Sequence, residues 1–172
     1  MKTTFLASFA LAAAFVAGCS KSETASAPAA SATPAPAATA PAAGSGPQVV
    51  NIQANDTMKY DVTRIEATPG QDLKVVLTNV GSMPKTAMAH NWVLLKAGSD
   101  PLAFSTAAAA ATTTNYIPAA LQDQIIAHID LLGPKESGEV AFKAPSAPGE
   151  YPFLCTFPAH FLIGMKGVLV VK

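Results

Sequence analysis

From Gln48 onward the apolar residues fall on alternate positions: Val50, Ile52 and Ala54, then Tyr60 and Val62, then Leu73, Val75 and Leu77. A repeat of two is the strand repeat, because successive side chains of an extended chain point to opposite faces of a sheet. A helix would scatter these residues around its circumference. Pro69-Gly70, Gly81-Ser82, Gly133-Pro134 and Pro148-Gly149 cut the region into short pieces, and strand-forming stretches return over 139–143, 150–155 and 167–172. Short strands between regular turn signals predict an all-β sandwich. One region breaks the rhythm. Between Gly98 and Gln124 the run Ala107 to Ala111 and the three threonines after it fit no strand, which predicts a short helical or loop insertion.

The segments in front of this domain are of another kind. Residues 20–47 hold eleven Ala, five Pro, five Ser and three Thr, with no Val, Leu, Ile or aromatic residue. Such a composition cannot build a core, so a disordered linker is expected, spanning about 30 Å as a flexible coil or up to about 85 Å if polyproline-like. Residues 1–19 begin with Lys2, continue through an apolar run from Phe5 to Ala17 and end in Val16-Ala17-Gly18-Cys19. The run is shorter than the ~20 residues of a spanning helix, and the pattern is that of an export signal. Small residues leading into one cysteine resemble the bacterial lipobox. That resemblance implies a lipoprotein signal peptide, lipid on Cys19 and a periplasmic domain on a membrane, with Ser20 after the cysteine resembling the outer-membrane sorting pattern. The arithmetic of charge adds an exclusion: eleven basic and eleven acidic residues among 172 give no net charge, which argues against a nucleic-acid partner. The two cysteines, Cys19 and Cys155, are too few for a disulfide-stapled scaffold.

The chemistry-bearing residues cluster near the end. Cys155, His160 and Met165 recur at five-residue steps in a stretch that follows one strand and precedes the last. A loop there can fold back so that thiolate, imidazole and thioether face one centre, and His90, opening the run His90-Asn91-Trp92-Val93-Leu94, offers a second imidazole. One Cys, two His and a distant Met match the trigonal copper site with a long axial methionine used in electron transfer. Against this, an isolated Cys is by default an inert small hydrophobe. His128 has no ligand spacing to any other donor and reads as a structural or surface histidine. Met58, Met83 and Met88 are too scattered for a methionine-rich copper carrier, although Met88 is placed to line the surface around the site. Trp92 reads as core. A zinc hydrolase is disfavoured by Met165 and by the lack of a placed Glu or Asp general base.

Met83-Pro84-Lys85, His90-Asn91-Trp92-Val93-Leu94, Tyr116-Ile117-Pro118, Ile126-Ala127-His128, Cys155-Thr156-Phe157-Pro158 and Met165-Lys166-Gly167 together resemble the azurin family of blue copper proteins, the cupredoxins, over residues 48–172. The resemblance implies a Greek-key β-sandwich with a type 1 copper at one end, held by His90, Cys155, His160 and Met165. It implies that Asn91 tethers the ligand loops, that the Phe157 amide donates to the Cys155 sulfur, and that Thr156 is another residue close around the donors. This chain departs from azurins in three ways. Ala89 stands where azurins have a glycine whose carbonyl approaches the metal, so a weak contact from Ala89 is an open expectation. The step from His160 to Met165 is one residue longer, similar to the loops of auracyanin and plastocyanin. No cysteine between Cys19 and Cys155 supplies the azurin disulfide.

Four protein donors leave no position for water or a small-molecule substrate, so the expected role is an electron carrier and not an enzyme, cycling one copper between Cu(I) and Cu(II). The expected docking face is the apolar rim formed by Met88, Pro158, Ala159, Phe161, Leu162 and Ile163. Because the loop from Cys155 to Met165 carries no charged residue, the contact is expected to be hydrophobic and only weakly salt-dependent. By resemblance the partner is a redox protein such as a cytochrome c, a nitrite reductase, a peroxidase or a respiratory complex. The alternative is a lipoprotein that stores or delivers copper without an electron-transfer role.

Overall fold

Where the apolar residues alternate, strands form. The computed structural model describes residues 46–172; the expected signal segment 1–19 with Cys19, and the linker 20–47 except its last two residues, lie outside the described residues. The strands are β1 (Gln48–Asn55), β2 (Lys59–Tyr60), β3 (Arg64–Ala67), β4 (Asp72–Asn79), β5 (His90–Leu95), β6 (Ile125–Leu132), β7 (Ser137–Lys143), β8 (Gly149–Leu154) and β9 (Lys166–Val171). One sheet has the order β2-β1-β4-β7 and the other β3-β9-β8-β5-β6. The chain changes sheet after β2, β3, β4, β6 and β7, the crossing expected of a Greek-key sandwich. Two pairs run parallel, β1 with β4 and β3 with β9. The second alternating stretch is shorter than its pattern: β2 stops at Tyr60, while Val62 still packs inward from the following loop.

The inward set of the alternation makes the core. Ile52, Leu73, Val75 and Leu77 of the first sheet meet Trp92, Phe153 and Leu169 of the second, all at most 1% exposed. Each such burial contributes about 1.5–3 kcal/mol. Trp92 lies between Phe153 and Phe142, with ring centroids at 5.5 and 6.0 Å, so its reading as core holds. Gly167 is required by this packing: a Cβ there would lie 2.2 Å from the Phe153 ring and 2.4 Å from the Thr63 carbonyl oxygen.

All six residues of β5 are buried, which period two alone does not explain. The insertion supplies the cover. Its helix α2 (Pro101–Ala110; α1 is the single turn Lys85–Met88) starts where Asp100 accepts from the amides of Leu102 and Ala103 at 2.8 and 3.2 Å, with Pro101 in the first turn. Short 3₁₀ turns follow at Thr112–Thr114 and Ala119–Gln124. Phe104 and Ile117 pack from here onto Val93, Leu95, Leu154 and Phe161, a second apolar cluster on the outer face of the sheet. His128 is exposed on β6, 3.6 Å from Asp130. Among the described residues no helix is long and apolar enough to cross a membrane.

Candidate metal centre

Two chain segments at one end of the sandwich supply the donors. His90 begins β5, where the single residue Asn91 stands opposite two of β6, Asp130 and Leu131, between the pairs His90–Leu132 and Trp92–Ile129. This bulge re-aims the start of the strand, a device common beside functional sites. The other segment joins β8 to β9. The Cys155 amide donates to the Met165 carbonyl at 3.1 Å and the Met165 amide to the His160 carbonyl at 3.0 Å, so the loop closes on itself. Between them His160 opens the single turn α3 (His160–Ile163), entered through Ala159 at φ 69° and left through Gly164 at φ 102°. A straight strand would hold these residues apart; the folded loop brings them to one place.

One donor atom from each of His90, Cys155 and His160 lies within 4.8 Å of the other two, and all three residues are buried. Cys155 Sγ is 3.5 Å from His160 Nδ1, and the two imidazole centroids are 4.9 Å apart. Met165 is fully buried in the same end of the core as Cys155. Both ring nitrogens of His90 are sealed from solvent without a well-aligned hydrogen-bond partner. Leaving such groups unsatisfied costs about 1–3 kcal/mol each, and a cation held among the donors relieves it. The Asn55 carbonyl and the Asp56 carboxylate stand near enough to favour a charged His90 ring, but burial outweighs both and lowers its pKa. Burial, aided by His90, lowers His160 to about 4. Burial pushes the Cys155 thiol up to about 12, against the backbone amides of Asn91 and Phe157, which favour the thiolate. At neutral pH the centre therefore offers two neutral imidazoles and a thiol that a metal must deprotonate. The set of soft sulfur and imidazole fits copper.

Around these donors Asn91 and Thr156 lock the two segments together. Asn91 Nδ2 donates to Thr156 Oγ1 at 2.6 Å, and the Thr156 amide donates to Asn91 Oδ1 at 2.8 Å, both residues being at most 1% exposed. Phe157, half-buried, packs at a tilt against His160, ring centroids 4.8 Å apart, and meets Tyr116 edge-on at 5.2 Å. Ala89 is buried in extended conformation immediately before His90. On the outside, Ala159, Leu162 and Ile163 are exposed, and Met88 and Pro158 half-buried. Phe161 corrects the expected rim: it is 9% exposed, because its ring turns under the insertion into the second apolar cluster and Lys166 lies over it at 4.5 Å. It presents no docking surface.

Sequence reasoning missed the hairpin of β1 and β2. Asp56 accepts from the Ser82 amide and hydroxyl at 2.9 and 3.0 Å and from the Met83 amide at 3.4 Å, tying the turn to the segment that leads into His90. The Tyr60 hydroxyl donates to the Asn91 carbonyl, and Lys59 Nζ to the Ile163 carbonyl. Alternation marked Tyr60 as inward-facing; nothing in the sequence distinguished Lys59 from any other surface lysine. The uncharged loop is thus flanked by cations from outside it, Lys59 and Lys166.

Comparison with known proteins gives this geometry its setting. The profile described as "Copper binding proteins, plastocyanin/azurin family" matches residues 47–172. The chain is similar to azurin of Pseudomonas fluorescens biotype A, 35% identical over 126 residues, covering 72% of this chain and 97% of that protein. It is similar to auracyanin-A of Chloroflexus aurantiacus, 33% identical over 133 residues, covering 76% and 78%. Among solved structures, a dithionite-reduced auracyanin from Roseiflexus castenholzii matches with a TM-score of 0.64 and 35% identity, covering 75% of this chain and 99% of that one. Auracyanin A, described as a "blue" copper protein from a green thermophilic photosynthetic bacterium, matches at 0.64 and 33%, covering 74% and all of that chain (100%). A preformed centre of His90, Cys155 and His160 with Met165, suited to one copper ion and built at one end of an all-β sandwich, thus joins a matched family profile and relatives above 30% identity: the chain belongs to the plastocyanin/azurin family of copper-binding proteins, the blue copper cupredoxins.

Proposed function

We propose that this protein is a mobile one-electron carrier tethered to the outer face of a bacterial membrane. In this reading His90, Cys155, His160 and Met165 hold the copper, and Ala89 contributes at most a weak backbone contact. The observation that carries it is the sealed, prefolded donor set: three donors within 4.8 Å, with no charged side chain among them to act as a general base. Bound there, copper supplies a one-electron couple between Cu(I) and Cu(II). The chain's own residues do the rest. Asn91 and Thr156 fix the loops, the Asn91 and Phe157 amides favour the thiolate, and the burial of both imidazoles keeps them unprotonated and shut off from water. A centre that moves little between oxidation states exchanges electrons fast, and a rigid loop serves that end.

Electron exchange would take place through His160, over the face formed by Met88, Pro158, Ala159, Leu162 and Ile163. Small, brief contacts of this kind suit redox partners such as a cytochrome c, a nitrite reductase, a peroxidase or a respiratory complex. The export-signal pattern and Cys19 support a domain in the periplasm, held on the outer membrane by lipid. The test is to load the purified protein with Cu(II). An intense blue thiolate charge-transfer band that bleaches and returns on reduction and reoxidation is expected, and Cys155→Ser abolishes it. A copper-loaded protein that stays colourless, or gives up Cu(I) readily without a reversible couple, overturns the carrier reading in favour of copper storage or delivery. Cys19→Ala is expected to release the protein from the membrane fraction.

A further inference from the structure

The two donor-bearing segments are far apart in sequence, and beside the pairing of β5 with β8 they are joined by the two hydrogen bonds between Asn91 and Thr156. The two residues of β2 add a second connection from a third place in the chain. Consecutive residues of an extended strand point to opposite sides. Tyr60 therefore turns inward, 4% exposed, and its hydroxyl donates to the Asn91 carbonyl, next to His90. Lys59 turns outward, and its Nζ donates to the Ile163 carbonyl, midway between His160 and Met165. That carbonyl belongs to the last residue of α3, an end where a cation is electrostatically favoured.

The surroundings are built for this arrangement. β2 is held against β1 in register, Asn55 opposite Lys59 and Ala54 opposite Tyr60. The turn between them is closed by the Met58 amide on the Asn55 carbonyl at 3.0 Å and the Thr57 amide on Asn55 Oδ1 at 2.9 Å, with Met58 at φ 56°. On the receiving side, a Cβ on Gly164 would lie 2.6 Å from Lys59 Nζ, so the residue that ends α3 at φ 102° also leaves the room through which Lys59 reaches the loop. Tyr60 in turn rests on Phe153, ring centroids 5.8 Å apart, which fixes the direction of its hydroxyl.

We propose that β2 is a clasp for the metal centre: Lys59 and Tyr60 are positioning residues that hold the loop carrying His160 and Met165 and the segment carrying His90 in their binding arrangement before metal arrives. Neither touches the metal. The proposal rests on the reading of the donors as a copper site, and part of its test does not need copper. In the full chain, Lys59→Met and Tyr60→Phe each remove one bond while keeping the stem or the ring. In the metal-free protein, amide hydrogen exchange at Gly164 and Met165 is expected to rise about tenfold in Lys59→Met, and that at Trp92 in Tyr60→Phe, with protection in β4 and β7 unchanged. In the copper-loaded protein each variant is expected to bind copper about tenfold more weakly and to shift the charge-transfer band and copper hyperfine splitting, with Lys59→Arg restoring the parent values.

Hydrogen exchange and copper affinity within twofold of the parent in both variants would overturn the clasp, as would failure of Lys59→Arg to differ from Lys59→Met. A loss of protection throughout β4 and β7 would overturn it too, since these residues would then serve the fold and not the centre. If the parent protein takes up no copper, the copper reading fails, while the metal-free exchange still decides whether β2 holds the loops.

Discussion

Replacing Asn91 by alanine removes the one side chain that bonds both ways between the donor segments. Two hydrogen bonds disappear, from Asn91 Nδ2 to Thr156 Oγ1 and from the Thr156 amide to Asn91 Oδ1. Asn91 is 0% and Thr156 1% exposed, so water does not take their place. A buried amide left without an acceptor costs about 1–3 kcal/mol, and the hydroxyl, which loses its donor, adds about 1 kcal/mol. Asn91→Ala is therefore expected to destabilise the metal-free protein by about 3 kcal/mol, a large share of the 5–15 kcal/mol typical of a domain. The assay is guanidinium unfolding of the metal-free protein, followed by tryptophan fluorescence from Trp92 and far-UV circular dichroism, with an unchanged slope against denaturant. Thr156→Val breaks only the Oγ1 bond, and in that background Asn91→Ala should lose about 1 kcal/mol less than in the parent, the signature of a shared bond. A loss below about 1 kcal/mol for Asn91→Ala, or full additivity with Thr156→Val, would refute the argument that the pair carries the connection.

Other outcomes follow from separate features. With the thiol at about 12, His160 at about 4 and His90 held below its ordinary value by burial, copper uptake between about pH 7 and 9 should displace one proton, from Cys155. Apparent copper affinity in a competition titration is thus expected to rise about tenfold per pH unit across that range, and more steeply below about pH 4 where His160 must also lose a proton; a flat profile contradicts a buried neutral thiol. Gly167→Ala should destabilise by about 3 kcal/mol or prevent folding, because the added carbon collides with the Thr63 backbone as well as the Phe153 ring. Phe104→Ala should cost about 3–5 kcal/mol in thermal or denaturant unfolding while leaving the blue band in place, since the second cluster lies on the far face of β5. Ala159→Gly should raise stability by about 1 kcal/mol, because the residue before α3 sits at φ 69°.

What the sequence made legible was whatever depends on local pattern. Val50, Ile52 and Ala54 or Leu73, Val75 and Leu77 state their inward face at period two, and the Ala-rich stretch states that it is no strand. Cys155, His160, Met165 and His90 were legible because few residue types can serve as metal donors, and their spacing left little else for them to do. Contacts made across the chain were not legible. That Lys59 reaches Ile163, 104 positions along the chain, depends on a hairpin turn at one end and on Gly164 at the other, and no local signal ranks Lys59 above Lys74 or Lys85. Phe161 failed for a related reason: Phe161, Leu162 and Ile163 are alike as apolar loop residues, and only the insertion, which roofs β5, decides that the first turns in and the other two face out.

The length of β1 has a consequence for orientation. It begins at Gln48 and runs eight residues to Asn55, whose carbonyl stands beside His90. At ~3.3 Å per residue the chain enters β1 about 23 Å from the end that stands beside His90, at the opposite pole of the sandwich. The pole with Leu162 and Ile163 lies at the other end, so a contact made just before Gln48 and a contact made on that loop would fall on different surfaces of the domain.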